Sequence, residues 1–218
     1  MLKDCDQMRK SEKARAAVER LERLYPEAVC SLSAETPFQL LVATRLSAQC
    51  TDARVNLVTP ELFRRFPTPQ AMASAPLAGI EECIRSCGLY KTKARDLKAM
   101  SNELCERHGG EVPPSLDELT RLSGVGRKTA NLIMGDVFDE PAVVADTHLI
   151  RISGRLGLCD SKDPYKVEMQ LKKLLPKDKS NDFCHRIVHF GRDRCTARNP
   201  QCEGCELSDI CSEHTKIR

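Results

Sequence analysis

Cys195, Cys202, Cys205 and Cys211 follow one another as C-x6-C-x2-C-x5-C within seventeen residues. That stretch holds few large apolar side chains and cannot build a core of its own. Four thiolates this close can converge on a metal centre, and a metal then supplies the order that packing cannot. The spacing leaves a zinc site and an iron–sulfur cluster both open. Unrelated cysteines are the weakest reading, because cysteine is rare and these four fall where little else orders the chain. Cys5, Cys30, Cys50, Cys83, Cys87, Cys105, Cys159 and Cys184 are scattered through helical patterns. They are expected mostly as small buried apolar residues in a reducing compartment, not as disulfide partners.

The 218 residues suffice for one large domain or two modest ones, and 41% are hydrophobic. With no Trp and 4% aromatics, Leu, Ile and Val must carry the packing. The net charge of +3 selects no partner, so the distribution of charge matters more. From His185 to Arg198 the chain carries Arg186, Arg192, Arg194 and Arg198 against Asp193 alone. Such a run is by itself an ordinary solvated face. No apolar stretch is long enough to span a membrane, and the N-terminal sequence is not a signal peptide, so a cytoplasmic protein is expected.

The punctuation predicts an all-α chain. Ala14, Ala17, Val18, Leu21, Leu24 and Tyr25 form a helical stripe that stops before Pro26. Thr36, Pro37 and Gln39 supply an N-cap, an N1 proline and a capping-box partner, and Thr68-Pro69 repeats the start signal. Gly88 is the C-cap candidate after Pro76–Cys87, and Gly109-Gly110 ends the segment Lys91–His108. Asp163-Pro164 opens a further helix, and Asn181–Phe190 is expected to close at Gly191. Only Ala142–Ala145 reads as extended, too short and isolated to imply a sheet.

Between Pro113 and Asp139, Ser115 and Glu118 form a capping-box pattern for a short helix. Ser123-Gly124-Val125-Gly126 then turns sharply before a helix running to Phe138. Successive N–H groups at such a turn can hold a phosphate, although an ordinary helix–helix turn has the same residues. Lys128 falls in the first turn of the second helix, where the helix dipole disfavours an ammonium; a nucleophilic amine needs that bias. An exposed lysine on a solvated face is the commoner case. Asp146 can cap the next helix and still face a substrate. His148 reads as a phosphate or backbone partner, or as a satisfied polar residue, and not as a metal ligand.

The order LSGVGRKTAN (122–131), VADTHLIRISGRLGL (144–158) and HFGRDRCTARNPQCEGCELSDIC (189–211), with LSAQCTD (46–52) and CGLYKTKA (87–94), strongly resembles the endonuclease III family of DNA glycosylases. The likeness spans almost the whole chain at the family's intervals. It implies two helical domains with a DNA groove between them: a helical barrel at 30–140, with the helix-hairpin-helix at about 115–138, and a discontinuous domain of 1–29 plus 141–218. The latter would hold a [4Fe-4S] cluster in the loop 195–211, with Cys195, Cys202, Cys205 and Cys211 as ligands. The resemblance makes Lys128 the amine nucleophile and Asp146 the essential carboxylate. Gln49 would fill the space left by a flipped base and Leu89 would wedge the opposite strand. Gly124, Val125, Gly126, Arg127, His148 and Arg192 complete the DNA-facing set. Ser123 departs from the family's usual proline, Cys50 from threonine or alanine, Ala145 from valine, and Arg186 from a second histidine. None removes a catalytic group.

The implied activity is a bifunctional glycosylase and AP lyase that excises oxidised pyrimidines from damaged duplex DNA and cleaves 3′ to the abasic site. The expected protein is a monomer working at the nucleoid of a bacterial or archaeal cell. A monofunctional adenine glycosylase has no use for Lys128 as nucleophile. A non-catalytic DNA-binding or electron-transfer protein would form no covalent intermediate.

Overall fold

The computed structural model describes residues 8–214, so Cys5 lies outside the described residues. The chain is all-α, and no β-strand occurs among the described residues. It divides into two compact units, Met1–Val29 with Glu140–Arg218, and Cys30–Asp139.

Helix α1 (Lys10–Leu24) belongs to the first unit and buries Ala14, Ala17, Val18 and Leu21. Leu24 closes the helix but stays exposed, and Tyr25 sits beyond it with its ring 6.0 Å from that of His189. Burial, followed by the charge of Asp193, pushes the Tyr25 phenol from 10.0 up to about 12. Folding therefore favours the neutral phenol. Its contribution is complete below pH 10 and is lost as the pH rises through about 12. Alkaline titration by phenolate absorbance should show one late phase near pH 12, absent from Tyr25→Phe; a late phase that survives the substitution refutes this.

The second unit contains α2 (Pro37–Ser47), α3 (Asp52–Arg65), α4 (Pro69–Ser74), α5 (Leu77–Cys83), α6 (Tyr90–His108), α7 (Leu116–Thr120) and α8 (Arg127–Phe138). Helix α2 is buried along most of its length and packs against α3, α6 and α8. Leu41, Leu46, Val55, Leu62, Met72, Ile80, Leu97, Met100 and Ile133 fill the surrounding core. Burying each such side chain contributes roughly 1.5–3 kcal/mol. Thr36 Oγ1 accepts the Gln39 N–H as predicted, but Gln39 Oε1 accepts from Glu35 N and not from the cap residue. Helix α5 stops at Cys83, with Ile84 as its cap, so Gly88 is not the C-cap. The left-handed residue in that loop is Leu89.

The remaining helices of the first unit are α9 (Thr147–Arg155), α10 (Pro164–Leu174) and α11 (Ser180–Asp193). Residues 142–145 are a non-helical link, with Ala142, Val143 and Val144 buried. Helix α11 runs through Gly191 instead of ending there. A Cβ at 191 would stand 2.5 Å from His148 Nδ1 and 2.9 Å from Ile152 Cδ1, so glycine serves the close approach of α9. Arg186, expected on a solvated basic face, is buried. Its Nε donates to Tyr25 O at 3.3 Å and its Nη2 pairs with Asp182, which joins α11 to the end of α1. Of the scattered cysteines, Cys87, Cys159 and Cys184 are buried, whereas Cys30, Cys50, Cys83 and Cys105 are only half-buried. Cys30 and Cys50 lie in loops, Cys83 at the end of α5 and Cys105 on a partly solvated face of α6, where burial is incomplete.

Candidate DNA-repair site and cluster loop

The hairpin joins α7 to α8. Leu122 and Val125 enter the core, and Val125 N–H turns back to Leu122 O at 3.1 Å. Val125 therefore offers neither its side chain nor its N–H to a phosphate, contrary to the expected run of successive free donors. Gly124 has φ +75°, and a Cβ there would meet Arg45 Nε at 2.6 Å and Asp96 Cβ at 2.9 Å. Arg45 and Asp96 form a partly buried ion pair under the turn. Gly126 has an ordinary φ of −92° and open space where a Cβ would stand. The two glycines thus have different reasons. Gly124→Ala combines a strained φ costing about 1–3 kcal/mol with a steric clash, so its thermal midpoint should fall by several degrees. Gly126→Ala should melt with the wild type while binding DNA more weakly. Equal melting of both variants would contradict this assignment.

Ser123 is fastened to α6. Its N–H and Oγ donate to the two oxygens of Glu103 at 2.7 and 2.8 Å. Two hydrogen bonds to one charged group fix the residue before the turn. Beyond the turn, Lys128 is the second residue of α8 and is exposed, with Arg127 half-buried before it.

Gln49 and Leu89 share an uncommon geometry. They have φ of 55° and 58°, and only Asp139 joins them among the described non-glycine residues with positive φ. Left-handed backbone costs a side-chain-bearing residue roughly 1–3 kcal/mol and tends to mark functional positions. Both residues are exposed, and Leu89 leaves 61% of its surface in solvent. A Cβ on Gly88 would sit 3.3 Å from Gln49 O, so the two loops touch at their backbones.

In the other unit, Asp146 is the N-cap of α9, and its Oδ1 accepts the Leu149 N–H at 2.7 Å. That bond fixes the carboxylate's direction while engaging only one of its oxygens. His148 Nδ1 lies 3.2 Å from Arg151 Nη2. Arginine can only donate, so Nδ1 accepts and the neutral ring carries its proton on Nε2. Arg192 is exposed near the end of α11, whereas Arg194 turns inward to Gly204 O at 2.8 Å.

Cys195, Cys202, Cys205 and Cys211 line one cavity of about 70 Å³, whose walls include Ile152, Leu156, Phe190 and Leu207. Among the described residues no three His, Cys, Asp or Glu side chains are arranged to hold a single metal ion. Four thiols around a shared apolar void suit a polynuclear cluster. Arg155 Nη1 donates to Cys195 Sγ at 3.2 Å and to Thr196 O at 2.8 Å, and Arg151 Nη2 donates to Cys195 O at 2.9 Å. These cations suit thiolate ligands, and sequence reasoning did not single them out. The available signal was a pair of arginines four apart on the helix after Asp146. Arg20 of α1 grips Asp209 with two hydrogen bonds and Glu206 O at 2.8 Å, which holds the far side of the loop.

Comparison with known proteins agrees with this geometry. Residues 42–177 match the HhH-GPD superfamily base excision DNA repair proteins, and residues 195–211 match the iron-sulfur binding domain of endonuclease III. The chain is 42% identical over 200 residues to endonuclease III of Bacillus subtilis, covering 91% of each chain. It is 45% identical over 203 residues to that of Synechocystis, covering 93% of each. A solved structure described as a trapped endonuclease III–DNA covalent intermediate superposes with a TM-score of 0.90 at 42% identity, covering 97% of this chain and 100% of that one. The cofactor of the four-cysteine loop is a [4Fe-4S] cluster. With its hairpin, its cysteine loop and relatives matched along nearly their full length, the chain belongs to the endonuclease III family of HhH-GPD base excision DNA repair proteins.

Proposed function

We propose that this chain excises oxidised pyrimidines from duplex DNA and cleaves 3′ to the resulting abasic site, with Lys128 as nucleophile and Asp146 as its essential carboxylate. At the level of the family, the protein is a DNA glycosylase and AP lyase of base excision repair. The observation that carries the finer reading is an exposed primary amine at the second position of the helix that follows the hairpin.

A base must leave the stack before a side chain can reach its sugar. Gln49 and Leu89, exposed on adjoining strained loops, fill the vacated space and offset the lost stacking. The hairpin, Arg127, His148 and Arg192 contact the backbone, which positions the duplex without reading sequence. Lys128 Nζ forms a bond to C1′ while the C1′–base bond breaks, and the departing base takes up a proton. Asp146 stabilises the positive charge that develops on the sugar. Loss of a proton from nitrogen and opening of the ring give a Schiff base. Removal of a C2′ proton then expels the 3′ phosphate, and water releases Lys128. Cys195, Cys202, Cys205 and Cys211, which line one cavity, would hold the [4Fe-4S] cluster, and its binding would order the 195–211 loop. The protein acts as a monomer at the nucleoid of a bacterial cell.

Borohydride added during reaction with a duplex containing an oxidised pyrimidine should reduce the Schiff base to a stable protein–DNA adduct. Intact protein that yields none, across several oxidised pyrimidines, would refute the lyase step. Trapping on other lesions alone would refute the substrate class.

A further inference from the structure

Lys93 is fully buried, one of the largest side chains among the described residues to be so. Its amine donates to Leu46 O at 2.8 Å, and its backbone N–H donates to Leu89 O at 3.0 Å. Leu46 lies in the last turn of α2, whose final carbonyls have no helical partners and carry the negative end of the helix dipole. Gln49 follows three residues later. Leu89 is the N-cap of α6, so the Lys93 side chain holds the helix end that leads into Gln49, while its backbone makes the first helical bond of α6 onto Leu89 O. Burial pulls the amine below its ordinary value, against the opposing pull of the Cys50 and Cys87 thiols. As amine or ammonium, the group still donates to Leu46 O. A hydrocarbon of the same length would fill the space but leave Leu46 O without this donor, so the lysine both satisfies the open end of α2 and ties it to α6. Backbone in sparsely populated conformations persists only where its surroundings over-determine it.

We infer that Lys93 is a positioning residue whose side chain and backbone together hold the Gln49 and Leu89 loops in the register needed to enter the duplex. The inference rests on the reading that these two residues occupy the space of the displaced base.

The test compares excision of an oxidised pyrimidine from a duplex with cleavage at an abasic site in single-stranded DNA, where no base is evicted. A 2-aminopurine beside the lesion reports unstacking. For Lys93→Met, folded by circular dichroism, the duplex-to-single-strand ratio of kcat/KM should fall about 10- to 100-fold, with a slowed aminopurine rise. Gln49→Ala and Leu89→Ala should show the same signature. A folded Lys93→Met that keeps the wild-type ratio while those two lose it overturns the role of Lys93. If Gln49→Ala and Leu89→Ala keep the ratio, the reading of the two loops falls instead, and this inference with it. Should Lys93→Met fail to fold, Lys93→Gln replaces it: its amide is one bond short of Leu46 O, so the same loss is expected and a retained ratio is equally fatal.

Discussion

Lys128→Ala is expected to abolish the borohydride-trapped adduct and to slow strand cleavage by at least ~10³-fold, because no other group supplies the bond to C1′. Its thermal midpoint should stay within a few degrees of wild type. Lys128 is exposed in the first turn of α8, where a cation meets the positive end of the helix, and surface substitutions at such places shift stability by only about 0.5 kcal/mol. Trapping by gel shift and melting by calorimetry separate the two quantities. A Lys128→Ala protein that traps as well as wild type would move the nucleophile to another amine, whereas a collapsed melting curve would make the lysine structural.

The second large effect concerns the cluster loop. Cys205→Ala should remove the iron and the brown colour and lower the thermal midpoint by roughly 10 °C or more, since a structural metal's binding energy is folding energy. Duplex affinity should fall with it, because the exposed Arg192 and Arg198 flank the first ligand of the loop. Far-ultraviolet ellipticity should change little: Cys195 to Cys211 contains only the short 3-10 turn Ser208–Ile210. Iron analysis, melting and a binding titration on one preparation decide the matter. Unchanged iron content and unchanged melting would remove Cys205 from the ligand set.

Much of the helical plan was legible because its signals are local. Thr36-Pro37, Thr68-Pro69 and Asp163-Pro164 each start a helix whose cap oxygen accepts the expected N–H. The cysteine spacing marked the cofactor loop for the same reason. What escaped depends on partners distant in sequence. Gly191 read as a helix end because glycine usually is one; only the packing of α9 shows why it stands inside a helix. Arg186 read as part of a basic face, yet its guanidinium reaches Tyr25, 161 residues away in sequence. The hairpin residues Gly124 and Gly126 looked alike on paper and separated only when Arg45 and Asp96 were found beneath one of them. Gln49 and Leu89 gave no local sign of positive φ, since neither is a residue that favours it. The lysine beside both loops, Lys93, is buried through contacts that no local pattern announces.

The divided first unit also has a consequence for how the protein is made. Helix α1 leaves the ribosome well before the residues it bonds to: Arg20 waits for Asp209, 189 residues later, and Lys13 for Ser212, 199 residues later. At synthesis rates of about 5–20 residues per second, that delay is roughly 10–40 s. The segment Cys30–Asp139 is complete well before then and can fold while translation continues. The face of α1 that carries Arg20 and Lys13 lacks these partners through that interval. Cys211 emerges after the whole of Cys30–Asp139, so cells short of iron or sulfide should accumulate chains whose Cys30–Asp139 unit is folded while the unit that carries the four cysteines remains open to proteases.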